Sequence, residues 1–375
     1  MSRTKLKAVL DSLEAIAPLR LAEEWDNVGL LVEAKRNATV KSVLFTIDLT
    51  RPVFDESVLL GADLIVSYHP PIFSGLKRLS RRNSQQEIIL DAVRKGIAIY
   101  SPHTALDACE GGVNDWLISG LGIKNVTAIS QANQFTNGMD TKLVVFVPDT
   151  HVDELRRALV EAGCGRIGKY SHCSFELEGQ GTFQGDASTN PLLGKAGNLE
   201  RVDEIRLEMV CRQSDLGQIG KAIKTHHPYE EAAWDALAMR TKVRVKTGQG
   251  RQGKLNRPLS LHTAIKKVKQ HLGLSYLRVA SAPRHQDGER LESVAVCAGA
   301  GASVLLGQSA DLLVTGEMRH HDVLACVAKG QSVILCEHTN TERGFLPILA
   351  KQILNRHSDL EVQVSKTDRD PLVIQ

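Results

Sequence analysis

Aromatic residues are scarce in this chain of 375 residues, at 4% of the total. Proteins that hold single-stranded nucleic acid without sequence preference stack the bases on aromatic side chains. The composition therefore argues against a stacking surface of that kind. An excess of one charge is also lacking, because the formal net charge is only +3. So small a charge does not predict nucleic-acid binding, and we keep nucleic acid only as a minor alternative partner.

Long apolar runs and paired cysteines are missing as well. No run reaches the length that spans a membrane, and we expect no membrane association. The seven cysteines include no Cys-x-x-Cys pair, which predicts reduced thiols in a cytoplasmic protein. The first apolar residues recur at helical spacing: Leu6, Val9, Leu10, Leu13 and Ile16. This pattern predicts a first helix rather than a cleaved signal.

What the chain does contain is an alternation of short apolar runs with amphipathic segments. Strands are predicted at 42–48, 63–67 and 97–100, and helices at 49–60, 87–95 and 113–121. Each connection is long enough for a right-handed crossover. The polar cluster from Glu23 to Gly29 is interpreted as a loop between a helix and a strand. The order predicts an α/β fold with mainly parallel sheets flanked by helices.

The middle of the chain has a different pattern. The composition turns polar from 131 to 140, and an order of strand, helix, strand, strand, helix, strand follows. This order predicts an inserted ferredoxin-like α+β module. We predict a discontinuous α/β domain over 1–130 and 245–375 and an inserted domain over 140–240. The His-His-Pro-Tyr-Glu-Glu segment at 226–231 is interpreted as a structural loop, and the basic stretch 240–254 as an exposed strand and linker.

Histidines and carboxylates follow the carboxyl ends of the predicted strands. They are His69, the pair His103 and Asp107, the group Glu317, His320 and His321, and the pair His338 and Glu342. Taken alone, each cluster is explained equally well by ordinary polar residues at strand ends. Ligands of open parallel sheets bind at that edge, so four clusters at one edge favour a shared site.

These residue types are those of a metal centre. Imidazole nitrogen with carboxylate oxygen suits zinc, iron, manganese, cobalt or nickel, and the lack of cysteine argues against structural zinc. In a helix, His338 and Glu342 would share one face, although Pro347 predicts that the helix is kinked there or begins later. The set is large enough for two ions, with Asp107 or Glu342 as a bridge. Such a pair polarises a substrate oxygen and activates water, which is the chemistry of hydrolysis.

Five segments of the chain together carry a resemblance to a known family. They are Trp25-Asp-Asn-Val-Gly-Leu30, Ser67-Tyr-His-Pro-Pro-Ile-Phe73, Ser101-Pro-His-Thr-Ala-Leu-Asp107, Thr315-Gly-Glu-Met-Arg-His-His-Asp322 and Cys336-Glu-His-Thr-Asn-Thr-Glu-Arg-Gly344. The chain resembles the GTP cyclohydrolase type 2 homologue family, also called NIF three-like. Its middle resembles the PII/CutA-like insertion of the longer members.

The resemblance implies a two-lobed α/β domain with a dinuclear metal centre, assembled into a toroidal homohexamer. By motif, the implied ligands are His69, Asp107, His338 and Glu342, with His103 adjoining. Groups implied to support the ligands or to transfer protons are Glu317, His320 and His321. One or two divalent ions per subunit are expected.

Tyr68 departs from the pattern of many bacterial members, which have two histidines where this chain has Tyr68 and His69. Loss of one imidazole predicts that one ion is weaker, differently bound or absent. The Tyr-His-Pro-Pro-Ile-Phe form is similar to that of eukaryotic members.

The resemblance implies a metal-dependent hydrolase of a nucleotide-like or other phosphorylated small molecule, and the family name suggests a GTP cyclohydrolase-like reaction. The alternative is a non-enzymatic metal-binding scaffold or regulatory protein whose inserted module senses a ligand. A third, minor hypothesis is a ring that encircles nucleic acid.

Overall fold

The computed structural model describes residues 3–123, 125–131, 138–239 and 246–372. The chain divides into two compact units, Met1–Ala132 with Arg244–Gln375, and Asn133–Val243. Part of the predicted polar boundary at 131–140, and the first residues of the basic stretch at 240–254, lie outside the described residues. That the chain forms separate domains over 1–130 with 245–375 and over 140–240 stays a prediction.

The first part of the larger unit alternates strands and helices. The strands are β1 (Thr4–Lys5), β2 (Gly29–Val32), β3 (Thr39–Val40), β4 (Ser42–Thr46), β5 (Leu64–Ser67), β6 (Ala98–Ser101) and β7 (Val126–Gln131). The helices are α1 (Leu6–Ile16), α2 (Arg51–Leu59), α3 (Ser84–Lys95), α4 (His103–Ala108) and α5 (Val113–Ser119). Every residue of β4, β5 and β6 is buried, as expected of parallel strands that are covered on both faces.

The smaller unit has one antiparallel sheet. Its elements are β8 (Thr141–Val147), α6 (Val152–Glu161), β9 (Ser174–Phe183), β10 (Glu200–Cys211), α7 (Leu216–His226) and β11 (Trp234–Ala238). The strands lie in the order β11, β8, β10, β9. Apolar residues of both helices, such as Leu155 and Ile219, pack with Leu143 and Leu207 of the sheet in one core. The assignment of this unit to the ferredoxin-like class stays a prediction.

The chain then completes the larger unit. The strands are β12 (Gly248–Leu259), β13 (Arg278–Ala280), β14 (Leu291–Cys297), β15 (Leu312–Thr315), β16 (Ser332–Leu335) and β17 (Glu361–Val364). The helices are α8 (Leu261–Leu272), α9 (Pro283–Gln286), α10 (Ala302–Leu305), α11 (His320–Ala328) and α12 (Leu346–Arg356). None of the helices in the described ranges is both long enough and apolar enough to cross a membrane.

Two sheets dominate the larger unit, and the prediction of mainly parallel strands is right for only one. The first has the order β17, β4, β5, β6, β2, and its only antiparallel pair is β2 with β6. The second has the order β13, β16, β15, β14, β12, β7, and only β14, β15 and β16 are parallel to one another. Strands β7 and β12 precede and follow the smaller unit in the chain and pair antiparallel. The fold is a mixed α/β fold with several sheets flanked by helices.

A shared core holds the two sheets of the larger unit together. One face of each sheet contributes to it, with Phe45 and Val66 from the first and Val296 and Val314 from the second. Helices α2 and α3 cover the outer face of the first sheet. The carboxyl ends of β5 and β16 therefore come together at one place in the larger unit.

The prediction of an exposed strand and linker over 240–254 is wrong for residues 248–251. Residues 248–251 are buried, and Arg251 has none of its surface exposed. Its guanidinium bonds both carboxylate oxygens of Asp115, with Nε 2.7 Å from Oδ1. It also donates to four backbone carbonyls, those of Gly248, Gly250, Ala108 and Cys109. Burial of the guanidinium charge is tolerated because each of its N–H donors has a hydrogen-bond partner.

Candidate metal centre

His69 is placed by the end of β5 and oriented by a carboxylate. Its backbone N–H donates to the carbonyl of Ile47 at 3.0 Å, which continues the pairing with β4 until Pro70 ends it. Its Nδ1 lies 2.9 Å from Oδ1 of Asp48. With Nδ1 engaged by a carboxylate, Nε2 is the nitrogen left for a metal ion.

His338 and Glu342 follow β16 and come together without the predicted helix. The backbone of Glu337 has a φ of 63°, and the chain continues into a 3-10 turn at Thr339–Thr341. Oε1 of Glu342 lies 3.4 Å from Nε2 of His338, and Oε2 lies 3.4 Å from Nε2 of His69. Helix α12 begins at Leu346, so Pro347 lies in its first turn and the helix begins later rather than being kinked.

These three residues form a group suited to one cation. One ligand atom from each of His69, His338 and Glu342 lies within 4.8 Å of the others. Glu342 is only 3% exposed, and in the described part of the chain its Oε2 has no hydrogen-bond partner. A buried carboxylate oxygen without a partner is costly, and a cation would satisfy it. Two imidazoles and one carboxylate are also an ordinary ligand set for zinc or iron.

Gly299, in the loop after β14, leaves the space that this group occupies. A Cβ at this position would lie 2.7 Å from Oε1 of Glu342 and 3.0 Å from Nε2 of His338. Its φ of 61° also favours glycine. Gly299 thus has a steric role beside the ligand group.

His103 and Asp107 adjoin the group but are not part of it. The ring centroid of His103 lies 5.3 Å from that of His69, and its Nδ1 lies 2.8 Å from Oδ1 of Asp26. The hydroxyl of Tyr68 donates to Oδ1 of Asp107. Burial, reinforced by the charge of Asp107, raises the pKa of Tyr68 well above its usual value, so Tyr68 remains a hydrogen-bond donor.

The electrostatics of the site favour positive charge. Burial and the charge of Glu342 raise the pKa of Asp107 to about 6. Burial disfavours the imidazolium of His69, but its contacts with the carboxylates of Asp48 and Glu342 outweigh this and raise the pKa of His69 to about 10. The carboxylates therefore favour the protonated, positively charged form of His69 when no metal ion is bound.

In the structure, Glu317 lies apart from the other two members of its predicted cluster, His320 and His321. Oε1 of Glu317 lies 3.5 Å from Nδ1 of His338, so this carboxylate is placed to orient the imidazole. His320 and His321 begin α11 and are exposed, with their ring centroids 5.5 Å apart. Neither lines the pocket at the ligand group. The role of all three in proton transfer stays a prediction.

A pocket of about 820 Å³ opens onto the ligand group. Its size suits a small molecule. Its lining includes His69, His103, Asp107, His338 and Glu342, and also Asp48 and Gly299, which were not predicted as site residues. The sequence feature that could have identified Asp48 as a site residue is its position at the end of a predicted strand. Asp26, which orients His103, belonged to the polar cluster interpreted as a loop.

Comparison with known proteins supports the resemblance. The sequence model of the family described as Duf34/NIF3 (NGG1p interacting factor 3) matches residues 4–371. The chain belongs to the NIF3 family. NIF3-like protein 1 of Bos taurus is 39% identical over 376 residues, covering 98% of this chain and 92% of that protein. The GTP cyclohydrolase 1 type 2 homolog of Bacillus subtilis (strain 168) is 31% identical over 369 residues, covering 97% and 96%.

Solved structures agree with NIF3 family membership. A crystal structure of a Bacillus cereus protein related to NIF3 has a TM-score of 0.62 at 32% identity, covering 100% of both chains. The Staphylococcus aureus protein SA1388 has a TM-score of 0.68 at 26% identity, again over 100% of both chains. The predicted family is thereby confirmed.

Proposed function

We propose that this NIF3 family member is a metal-dependent hydrolase of a nucleotide-like or other phosphorylated small molecule. The observation that carries the proposal is the convergence of His69, His338 and Glu342 at a pocket, with one buried carboxylate oxygen left unpaired. Bacterial relatives carry the name GTP cyclohydrolase 1 type 2 homolog, which supports a hydrolytic reaction on a nucleotide.

The surrounding residues have roles that follow from their contacts. A bound divalent ion would polarise a substrate oxygen and lower the pKa of a water molecule. Asp48 and Glu317 orient the imidazoles of His69 and His338 through Nδ1. Asp107, with a pKa raised to about 6, is suited to accept a proton near neutral pH in the form of the centre that holds a single ion.

We propose one or two ions per subunit, of zinc, iron, manganese, cobalt or nickel. His69, His338 and Glu342 would hold the first ion. His103 and Asp107 would complete a second position, where the hydrogen bond from Tyr68 to Asp107 already engages one carboxylate oxygen. The second ion is therefore the weaker one.

The experiment is a metal-dependent turnover screen. The purified protein is analysed for metals and tested with nucleotides, other phosphoesters and cyclic amides. We expect hydrolysis of at least one compound, lost together with the metal in His338→Ala and Glu342→Ala. His262→Ala, which changes an exposed histidine of α8, is the matched control and keeps both. Bound metal without any turnover would favour the metal-binding scaffold instead.

We also propose the toroidal homohexamer that the resemblance implies. Its support is the membership of the NIF3 family. Light scattering should give about six times the chain mass of 41.0 kDa, and a monomer mass would refute the proposal.

A further inference from the structure

Two large aromatic side chains stand exposed at the pocket that holds the ligand group. Trp25 is 59% exposed and Phe73 is 57% exposed, and both line the pocket. Their ring centroids lie 5.8 Å apart with the planes inclined at 43°. The ring of Trp25 also meets His103 edge-on, with centroids 6.0 Å apart. In a chain with few aromatics, two exposed rings beside a candidate reaction centre need an explanation.

Hydrogen bonds tie together the loops that carry these rings. The side-chain amide of Asn27 donates to the carbonyl of Ile72 at 2.5 Å, which ties the loop of Trp25 to that of Phe73. The backbone N–H of Thr104 donates to Oδ2 of Asp26 at 3.1 Å, which ties the first loop to α4. Loops that are already joined in this way lose less conformational entropy when a ligand binds.

The charge of the pocket indicates what such a surface would hold. The lining residues include Glu23, Asp48, Asp107 and Glu342, and no lysine or arginine is among those that the structure describes. Ile129, Val304 and Leu306 add apolar walls. Beside these carboxylates a negatively charged ring would be repelled, whereas an uncharged planar ring would find stacking surfaces and apolar contacts.

We propose that Trp25 and Phe73 are specificity-determining residues that stack against an uncharged, planar heteroaromatic ring of nucleobase type in the substrate. The inference rests on the proposed function, since it identifies the substrate class of the same site. The ring of His103 contacts both the ring of Trp25 and the ring of His69. A ring held by Trp25 therefore lies next to the ligand group, where hydrolysis of that ring or of a bond close to it would take place.

The test is binding to the metal-loaded, full-length protein, measured by calorimetry. The probes are adenosine, guanosine, cytidine and uridine, with ribose 5-phosphate as a probe that has no base. We expect at least one nucleoside to bind. Its dissociation constant should rise about tenfold or more in Trp25→Leu and Phe73→Leu, as is typical when a stacking aromatic is removed. Trp25→Phe should restore most of the affinity, and binding of ribose 5-phosphate should not change.

The controls separate this inference from the proposed function. Phe175 is also 57% exposed but belongs to the smaller unit, so Phe175→Leu should leave nucleoside binding unchanged. Metal content is measured in every variant. Its loss from the wild type would refute the metal site, whereas normal metal content with no nucleoside binding would overturn the stacking proposal alone. Unchanged nucleoside affinity in Trp25→Leu and Phe73→Leu would also overturn it, and a simultaneous change in oligomeric mass would assign the rings to a contact between copies of the chain.

Discussion

Two clusters of histidines and carboxylates in this chain have similar composition but different surroundings. In the larger unit, the ligand group brings together His69, His338 and Glu342. In the smaller unit, the segment 226–231 has two histidines and two glutamates. There Nε2 of His227 lies 2.8 Å from the carbonyl of Phe146, and its Nδ1 accepts from the backbone N–H of Tyr229 at 3.1 Å. Both ring nitrogens are used by the backbone.

The difference shows that a histidine is suited to bind a metal ion only if one of its two ring nitrogens is not already used by another contact. In the ligand group, a carboxylate lies beside Nδ1 of each histidine, and Nε2 faces Glu342. In the smaller unit, His227 has no nitrogen to offer, and His226 meets Glu154 at 3.2 Å near the surface. The second cluster is therefore a structural loop, as its sequence context indicates. Four measurements would break or sharpen this contrast.

The largest effect is expected from removing a ligand. His338→Ala should lower metal affinity by more than about 100-fold, because supporting residues alone typically account for 10- to 100-fold. His226→Ala, the matched change in the second cluster, should leave the affinity unchanged. Competition with a chelator measures both. Equal losses in the two variants would contradict the distinction between the clusters.

A smaller change tests the space around the ligands. Gly299 and Gly61 have φ values of 61° and 64°, so alanine at either position should cost about 1 kcal/mol of stability. Only at Gly299 would the new Cβ meet ligand atoms, since Gly61 has nothing within 4 Å. We expect Gly299→Ala, and not Gly61→Ala, to lose metal binding. Urea unfolding and metal titration would show this, and retained binding in Gly299→Ala would mean that the ligand group tolerates displacement.

The orienting carboxylates should have a graded effect. Asp48→Asn weakens the partner of His69, and we expect metal affinity to fall by about 10- to 100-fold. Asp26→Asn acts on His103, which lies outside the three-residue group, and should have a smaller effect. Metal titration of both variants gives the order. The reverse order would place His103 in the main ion site.

The smallest expected effect is the pH dependence of stability that arises from His227 in the second cluster. Burial lowers the pKa of His227 from its usual 6.5, against the opposing effect of the hydrogen bond that its Nε2 donates to the carbonyl of Phe146. The unfolded chain then binds a proton more readily than the folded one. The stability contribution is present above pH 6.5 and is lost as the pH falls below it. Thermal unfolding between pH 5 and 8 should show this loss, and His227→Gln should reduce it; an unchanged pH dependence would assign it to other groups.

Much of the site could be predicted from the chain, because parallel strands carry their ligands at one edge. The buried runs of β5 and β16 are apolar apart from Ser67 and Ser332, so His69 and His338 stand out where each run stops. The antiparallel half of the second sheet could not be predicted, since β12 is polar and rich in glycine, and its first four residues are buried around the bonds of Arg251. Asp26 was missed because a single carboxylate in a loop has no spacing that identifies it, and Asp48 was missed because its place at the end of a predicted strand does not pair it with His69.

The family and the strand-end positions of His69 and His338 follow from the order of residues alone, because apolar runs and motifs are local properties. Which histidines meet at the candidate metal centre was decided by tertiary structure. His69 and Glu342 are far apart in the chain, and a single contact 3.4 Å long joins them. His320 and His321 belong to one of the segments that carry the family resemblance, but they lie on the surface. The direction in which a side chain points is determined by packing and not by the motif.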